Sequence, residues 1–257
     1  MESKTSDGIY LSVIVPAYNE QSRIESTVRS IESYLSGRPY TSEVVVVDDG
    51  STDGTAAVVR RLASEFPALR LHSCVENSGK GYAVAQGMLN SGGRYRLFMD
   101  ADNSTTVDQF ERMIPHFEAG AGVVIGSRRV EGALIEVHQS RLRETLGQVF
   151  NLLVRLLYGF STRDTQAGFK AFTSEAARAI FPMQTIRRWA FDIEILVIAG
   201  LLGIRVREVP ITWRNDPITQ VKPGGMIRML FDVIKVRVNM FMGVYKRRSD
   251  GTGRSGC

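Results

Sequence analysis

The chain has 257 residues, of which 44% are hydrophobic and 23% charged, enough apolar material to fill the core of one large α/β domain. The formal net charge is +5, with cations such as Arg187, Arg188, Arg228, Lys235, Arg237, Lys246, Arg247 and Arg248 gathered in the last third. That balance calls for an anionic partner; without a recognition-helix, zinc-finger or aromatic RNA-binding pattern it argues against nucleic acid and for anionic lipid or a phosphorylated substrate.

Two cysteines, Cys74 and Cys257, make neither a disulfide framework nor a zinc site and point to a reducing, cytosolic environment. Met1–Gly8 is polar and the apolar run after it is short, so no secretion signal is expected. No stretch approaches the roughly 20 apolar residues of a spanning helix. Membrane contact, if made, is expected to be peripheral and on the cytoplasmic face.

Taken in chain order, Leu11–Val15, Glu43–Val47, Leu69–Ser73, Tyr95–Met99 and Gly122–Ile125 are short runs of Val, Ile, Leu and aromatic residues. They read as strands buried on both faces. Glu20–Leu35, Thr55–Phe66, Gly79–Leu89 and Thr106–Phe117 carry helical apolar spacing between them. The alternation predicts an α/β fold, a doubly wound, mostly parallel sheet flanked by helices. Further on, Arg141–Gly159, Ser174–Ile180 and Phe191–Leu202 are predicted helices and Val206–Trp213 a strand. Residues 9–215 are therefore read as the catalytic domain. An amphipathic segment follows over 216–248, and a Gly/Ser-rich tail, expected to be disordered, over 249–257.

Ligands of such sheets bind beyond the carboxyl ends of the strands. Here those ends read Pro16-Ala17-Tyr18-Asn19-Glu20, Asp48-Asp49-Gly50-Ser51-Thr52-Asp53-Gly54, Glu76-Asn77-Ser78-Gly79-Lys80-Gly81 and Asp100-Ala101-Asp102-Asn103. Four strand ends thus converge on one acidic, glycine-punctuated crevice. Asp100 and Asp102 flank Ala101 where the chain leaves the sheet, so both carboxylates can face one point. Such a pair, completed by diphosphate oxygens, suits Mg2+ or Mn2+. The same residues could form a solvated loop, with Asn103 or Ser104 capping the next helix. Asp53 suits a helix cap, while Asp48 and Asp49 can accept hydrogen bonds from a base or ribose. Gly79-Lys80-Gly81 at a helix start can hold phosphate through backbone N–H groups, although it lacks the full spacing of a phosphate loop.

With the segments Gly126-Ser127-Arg128, Arg163-Asp164-Thr165-Gln166-Ala167-Gly168-Phe169-Lys170 and Arg188-Trp189-Ala190-Phe191-Asp192-Ile193-Glu194 added in order, the chain resembles family 2 glycosyltransferases of the GT-A fold. Within them it is similar to the dolichyl-phosphate glucosyltransferases and mannosyltransferases. The resemblance spans residues 9–215. It implies that Pro16, Tyr18, Glu20, Asp48 and Asp49 line a nucleoside pocket and that Asp100 and Asp102 hold the metal on the donor diphosphate. It also implies that Arg128 and Arg141 meet phosphate groups. The segments around Asp164 and Trp189 look closer to the glucosyl branch, while Asn103 and Ser104 depart from the mannosyl pattern after D-A-D.

An ionised acceptor phosphate is already a nucleophile, its second pKa being near 6, so no general base is required. Asp164, Asp192 and Glu194 are accordingly expected to orient, to hydrogen-bond the sugar or to shape a loop rather than to take a proton; Asp164 is counted with Asp100, Asp102, Arg128 and Arg141 in the catalytic set, and Gln166, Trp189, Asp192 and Glu194 on the sugar or acceptor side. For Glu194 a helix-surface position is equally open, and Arg128 and Arg141 could be ordinary surface cations. His72, His116 and His138 are scattered and read as structural.

The expected reaction is inverting transfer of a hexose, glucose favoured, from a nucleotide sugar (UDP-glucose, or GDP-mannose) to a polyprenyl phosphate at a membrane surface. Met226–Tyr245, apolar with interspersed cations, could lie in a lipid interface or pack on the core, and Arg141–Tyr158 could make a second contact. A transferase with a soluble acceptor, a non-catalytic nucleotide-binding module and a nucleotidyltransferase are the competing readings.

Overall fold

The computed structural model describes residues 8–137, 141–215 and 223–249. A seven-stranded sheet forms its centre, in the order β3-β2-β1-β4-β7-β5-β8. The strands are β1 (Leu11–Ala17), β2 (Ser42–Asp48), β3 (Leu69–Ser73), β4 (Tyr95–Met99), β5 (Val123–Ser127), β7 (Phe169–Thr173) and β8 (Val206–Pro210). All pairings are parallel except those of β7, which runs antiparallel between β4 and β5. The helices are α1 (Ile24–Ser36), α2 (Thr55–Glu65), α3 (Lys80–Leu89), α4 (Ile114–Glu118), α5 (Arg141–Tyr158), α6 (Ser174–Ile180), α7 (Phe191–Leu201), α8 (Pro223–Phe241) and α9 (Val244–Ser249). This is the doubly wound α/β architecture expected.

The valine run of β2 shows why these strands read as continuous apolar segments. Val44 and Val46 point into the core beneath α1 and α2, and Val45 and Val47 into the core shared with α3, α6 and α7. Both faces are covered along Val44–Val47, so that stretch is apolar throughout. Pro16 is tolerated within β1 because the β1–β4 register ends at the Ile14–Phe98 pair, and no ladder bond on that side needs its missing N–H.

Three expectations are corrected. Thr106–Phe117 is not one helix but a 3-10 segment, Val107–Arg112, followed by α4; Pro115 lacks the N–H that would carry a single helix through. Val206–Trp213 is not one strand. It splits at Ile211 into β8 and β9 (Thr212–Arg214), and β9 leaves the main sheet to pair in parallel with β6 (Leu134–Val137). The apolar segment expected over Met226–Tyr245 breaks at Gly243, whose φ of 67° ends α8 in a left-handed turn that glycine adopts without strain. β7 was not anticipated at all. Of the expected 249–257 tail, Ser249 closes α9, and the remainder lies outside the described residues.

Candidate active site

The chain turns sharply as it leaves β1 and β4, and the residues at the bends, Asn19 (φ 56°) and Asn103 (φ 54°), are of the type that best tolerates the left-handed region. After β1, Asn19 and Glu20 are tied to the next loop: Asn19 N–H donates to Ser51 Oγ (2.9 Å) and Glu20 N–H to Thr55 Oγ1 (2.8 Å). Tyr18 beside them is 37% exposed. The buried Glu20 carboxylate pairs with Arg23, whose Nη2 donates at 2.9 Å.

Asp48 and Asp49 end β2 with different tasks. Asp48 Oδ1 accepts the Ser51 N–H at 3.1 Å, closing the turn. Asp49 accepts from Ser78 N–H (2.9 Å), Gly79 N–H (2.8 Å) and Asn77 Nδ2 (3.0 Å), so both its oxygens hold the loop before α3. Burial pushes its carboxyl up despite those amides. Gly50 (φ +69°) makes this possible, since a Cβ there would stand 2.5 Å from the Glu76 carbonyl carbon. Asp53 sits one residue before the α2 cap position and accepts the Thr55 N–H at 2.9 Å.

Beyond β4 the charges alternate. Lys80 Nζ, in the first turn of α3, lies 2.5 Å from Asp100 Oδ1 and 5.4 Å from the Trp189 ring centre. Burial works against the Lys80 ammonium, but Asp100, Asp192 and Asp102 outweigh it and raise its pKa. Asp102 Oδ1 accepts the Ser104 N–H at 2.9 Å, and burial together with the Asp100 charge pushes its carboxyl up. Asn103 and Ser104 do not cap the following helix by side chain; its cap position is Thr106.

A second pair closes the site. Arg128, just after β5, grips Asp164 in a fork: Nε to Oδ2 at 2.8 Å and Nη2 to Oδ1 at 2.9 Å, with the Arg128 N–H adding 3.0 Å. Asp164 is 1% exposed; burial opposes its charge, yet Arg128 holds the carboxyl down at about 2. Arg128 itself is raised, against its burial, by Asp164, Asp100 and Asp192, and its guanidinium lies 5.3 Å from the Trp213 ring centre. The backbone around Asp164 is fixed from outside. Glu208 accepts the Arg163 and Asp164 N–H groups (2.7 and 2.9 Å), and Asn151 of α5 donates to Arg163 O (2.7 Å).

Sequence reasoning missed Lys170 and Gly168. Lys170, 0% exposed on β7, bonds Asp192 and donates to Ala167 O at 2.5 Å. Burial works against both charges, pushing the Asp192 carboxyl up and the Lys170 ammonium down. Gly168 lies so close beneath Asp100 that a Cβ would fall 2.0 Å from Oδ2. Gly168→Ala must displace that carboxylate, and kcat is expected to fall by about a hundredfold, the scale of a misplacement near 1 Å; steady-state kinetics on the folded variant check this.

Asp100, Asp102, Lys80, Arg128, Asp164 and Asp192 are thus brought into one electrostatic group, with Trp189 beside Lys80. Gln166 faces α8 and donates to Met229 Sδ at 3.3 Å. Glu194 is not on a helix surface: it is buried and turned to Thr185 and Tyr245. Arg141 begins α5, but its side chain, like His138, lies outside the described residues.

The two carboxylates fit a divalent cation. They crowd like charge at one point, and a cation, Lys80, already stands against Asp100. Among the described residues no cluster of three candidate ligands occurs. Two carboxylates alone are fewer oxygens than a divalent cation takes, so an ion held there would need further ligands from elsewhere.

The family model "Glycosyl transferase family 2" matches residues 12–181. A dolichyl-phosphate beta-glucosyltransferase of Trichomonas vaginalis is 39% identical over 92% of this chain and 73% of its own length. The proteins of that name from Dictyostelium discoideum (39%, covering 95% and 78%) and Homo sapiens (32%, covering 92% and 77%) are similar over comparable shares. Among solved structures, glucosyl-3-phosphoglycerate synthase from Mycobacterium tuberculosis in complex with Mg2+ and uridine-diphosphate superposes with a TM-score of 0.62 at 21% identity, over 90% of this chain and 79% of that one. Mannosyl-3-phosphoglycerate synthase from Rubrobacter xylanophilus gives 0.64 at 19% identity, over 97% and 78%. At that identity the structures speak for the GT-A fold, and the sequence relatives and family model for the lineage: the chain is a glycosyltransferase belonging to family 2.

Proposed function

We propose that the protein transfers glucose, with inversion, from UDP-glucose to the phosphate of dolichol or a similar polyprenol, seated on the cytoplasmic face of a membrane. The observation that carries this reading is the carboxylate pair Asp100 and Asp102 at the end of β4, with the Lys80 ammonium on Asp100 and the Arg128 of the Arg128–Asp164 fork within reach of the Asp100 charge. The relatives' shared name supports the sugar and the acceptor, and the uridine-diphosphate complexes support the nucleotide.

In this reading Pro16, Tyr18, Glu20, Asp48 and Asp49 frame the nucleoside, Asp49 acting through the 77–79 loop it holds. Asp100 and Asp102 would hold Mg2+ or Mn2+, which when bound neutralises charge on the departing diphosphate. Lys80, Arg128 and Arg141 supply fixed positive charge for phosphate groups. Trp189 and Asp192 are assigned to the sugar and acceptor side, and Gln166, turned to Met229 of α8, joins them through that helix. An acceptor phosphate oxygen attacks the anomeric carbon as its bond to the diphosphate breaks; the phosphate is already ionised, so no side chain has to take a proton.

The seat is the outer face of α5 and α8. Apolar side chains point outward there: Leu146, Val149, Leu153 and Leu156 of α5, and Phe231, Ile234, Val238 and Phe241 of α8, are exposed, Leu156 at 73% and Phe241 at 95%. Tyr158 O–H donates to Val233 O at 2.5 Å, joining the two helices. Exposed Arg228, Lys235 and Arg237 on α8 complement anionic headgroups. Among the described residues no helix is long and apolar enough to cross a membrane.

The test is incubation with labelled UDP-glucose or GDP-mannose, polyprenyl phosphate in anionic vesicles and Mg2+ or Mn2+, followed by organic extraction. Label is expected in the organic phase from UDP-glucose, with the protein sedimenting with the vesicles. Transfer from GDP-mannose alone would replace the sugar. No transfer from either donor, with metal-dependent UDP binding intact, would favour a soluble acceptor.

A further inference from the structure

Glu194 lies in the first turn of α7, 0% exposed, and its carboxylate is saturated. Oε1 accepts from Thr185 Oγ1 (2.5 Å) and Tyr245 O–H (2.8 Å), and Oε2 from Thr185 N–H (2.9 Å) and Ile186 N–H (2.7 Å). A carboxylate offers about four acceptor positions, so none remains for a sugar hydroxyl. A buried carboxylate is tolerated only when so satisfied.

The donors come from two directions. Thr185 and Ile186 begin the segment that runs to Trp189 and α7, and Tyr245 belongs to α9. Asn239 of α8 adds a bond to Thr185 Oγ1 at 3.1 Å. From the same segment Gln184 Nε2 donates to Gly81 O (2.9 Å), and Arg187 O accepts the Tyr82 N–H (2.9 Å). Both of those partners sit in the first turn of α3, beside Lys80. One unbroken set of bonds therefore runs from α8–α9 through Glu194 to the helix start that places Lys80 against Asp100.

We propose that Glu194 is a positioning residue of the transfer reaction. It holds the 184–190 segment, and through it Trp189 and Lys80, in register with α8–α9, so that the apolar face and the charged site are one body. This rests on the reading of the site as a lipid-phosphate glucosyltransferase, and it assigns to that site a dependence on the C-terminal helices.

Tyr245→Phe removes one hydroxyl and keeps the ring. It is expected to lower kcat by about tenfold, the loss of one hydrogen bond to a charged group, with the KM for UDP-glucose changed by less than about twofold. Trp189 and Trp213 are the only tryptophans, so in a Trp213→Phe background acrylamide quenching reports Trp189 alone, and Tyr245→Phe should increase it. Glu194→Gln, which turns an amide NH2 toward backbone N–H groups, should do both more strongly, and the double variant should be no worse than Glu194→Gln. Unchanged quenching and kcat in folded Tyr245→Phe, or full additivity in the double variant, would overturn the proposal. If Glu194→Gln does not fold, Tyr245→Phe decides alone. The quenching arm needs no acceptor, so it stands even if the parent protein fails to glucosylate a polyprenyl phosphate, a failure that would count against the function instead.

Discussion

Asp102→Ala is expected to lower glucosyl transfer by about a thousandfold while the protein melts no lower than its parent. The two halves of that result have one origin. Burial and the neighbouring Asp100 charge push the Asp102 carboxyl up, which means that its ionised form is disfavoured in the folded chain. A group whose folded pKa is raised costs stability above that raised value, and the cost fades as pH falls through it. Alanine removes that cost together with one of the two carboxylates proposed to hold the divalent ion. Measured side by side, kcat at saturating Mg2+ or Mn2+ and the thermal midpoint separate the roles. Turnover within about tenfold of the parent would remove Asp102 from the machinery.

Arg128→Met should have the largest effect on stability, about 3 kcal/mol or more, because it strands a buried carboxylate without its partner. Asp164 is nearly inaccessible, and two bonds of the fork, at 2.8 and 2.9 Å, come from the Arg128 side chain. The sign of the pH dependence follows. In the parent, Asp164 has a folded pKa of about 2, below the ordinary 3.8. Its stabilisation is fully present above the ordinary value and is lost as pH falls through about 2. In Arg128→Met the backbone N–H of residue 128 and Arg129 still favour the carboxylate, but burial is opposed by much less and the carboxyl moves up, so acid weakens the variant less than it weakens the parent. The difference between their unfolding midpoints should therefore narrow as pH is lowered from neutral. A gap that stays constant would mean that the fork is not the source of the loss. Transfer should fall as well, since the same guanidinium faces the Asp100 and Asp192 charges.

The outline of the fold was legible because it is written in short-range pattern. β1, β2 and β4 read as strands from apolar runs that only two-sided burial explains, and the acidic tails of β1, β2 and β4 marked the carboxyl edge of the sheet. The Asp100–Asp102 pair was visible for the same reason, since residues flanking one alanine at a strand end are neighbours in any fold. β7 was not legible. Phe169-Lys170-Ala171-Phe172-Thr173 has no β-branched run, and a lysine in its middle reads as a surface residue until Asp192 is known to lie against it.

Sequence alone therefore determined the family, the β/α alternation of the first half and the acidic crevice, all of which depend on residues a few positions apart. Tertiary structure decided which charges answer one another: Arg128 with Asp164, Lys80 with Asp100, Lys170 with Asp192, and Glu194 with Tyr245. Those partners are separated along the chain by whole elements. Their pairing follows from β7 entering antiparallel between β4 and β5 and from α9 packing back on α7. A buried charge is stable only beside its partner, and no periodicity in a local stretch of sequence records which distant residue that partner will be.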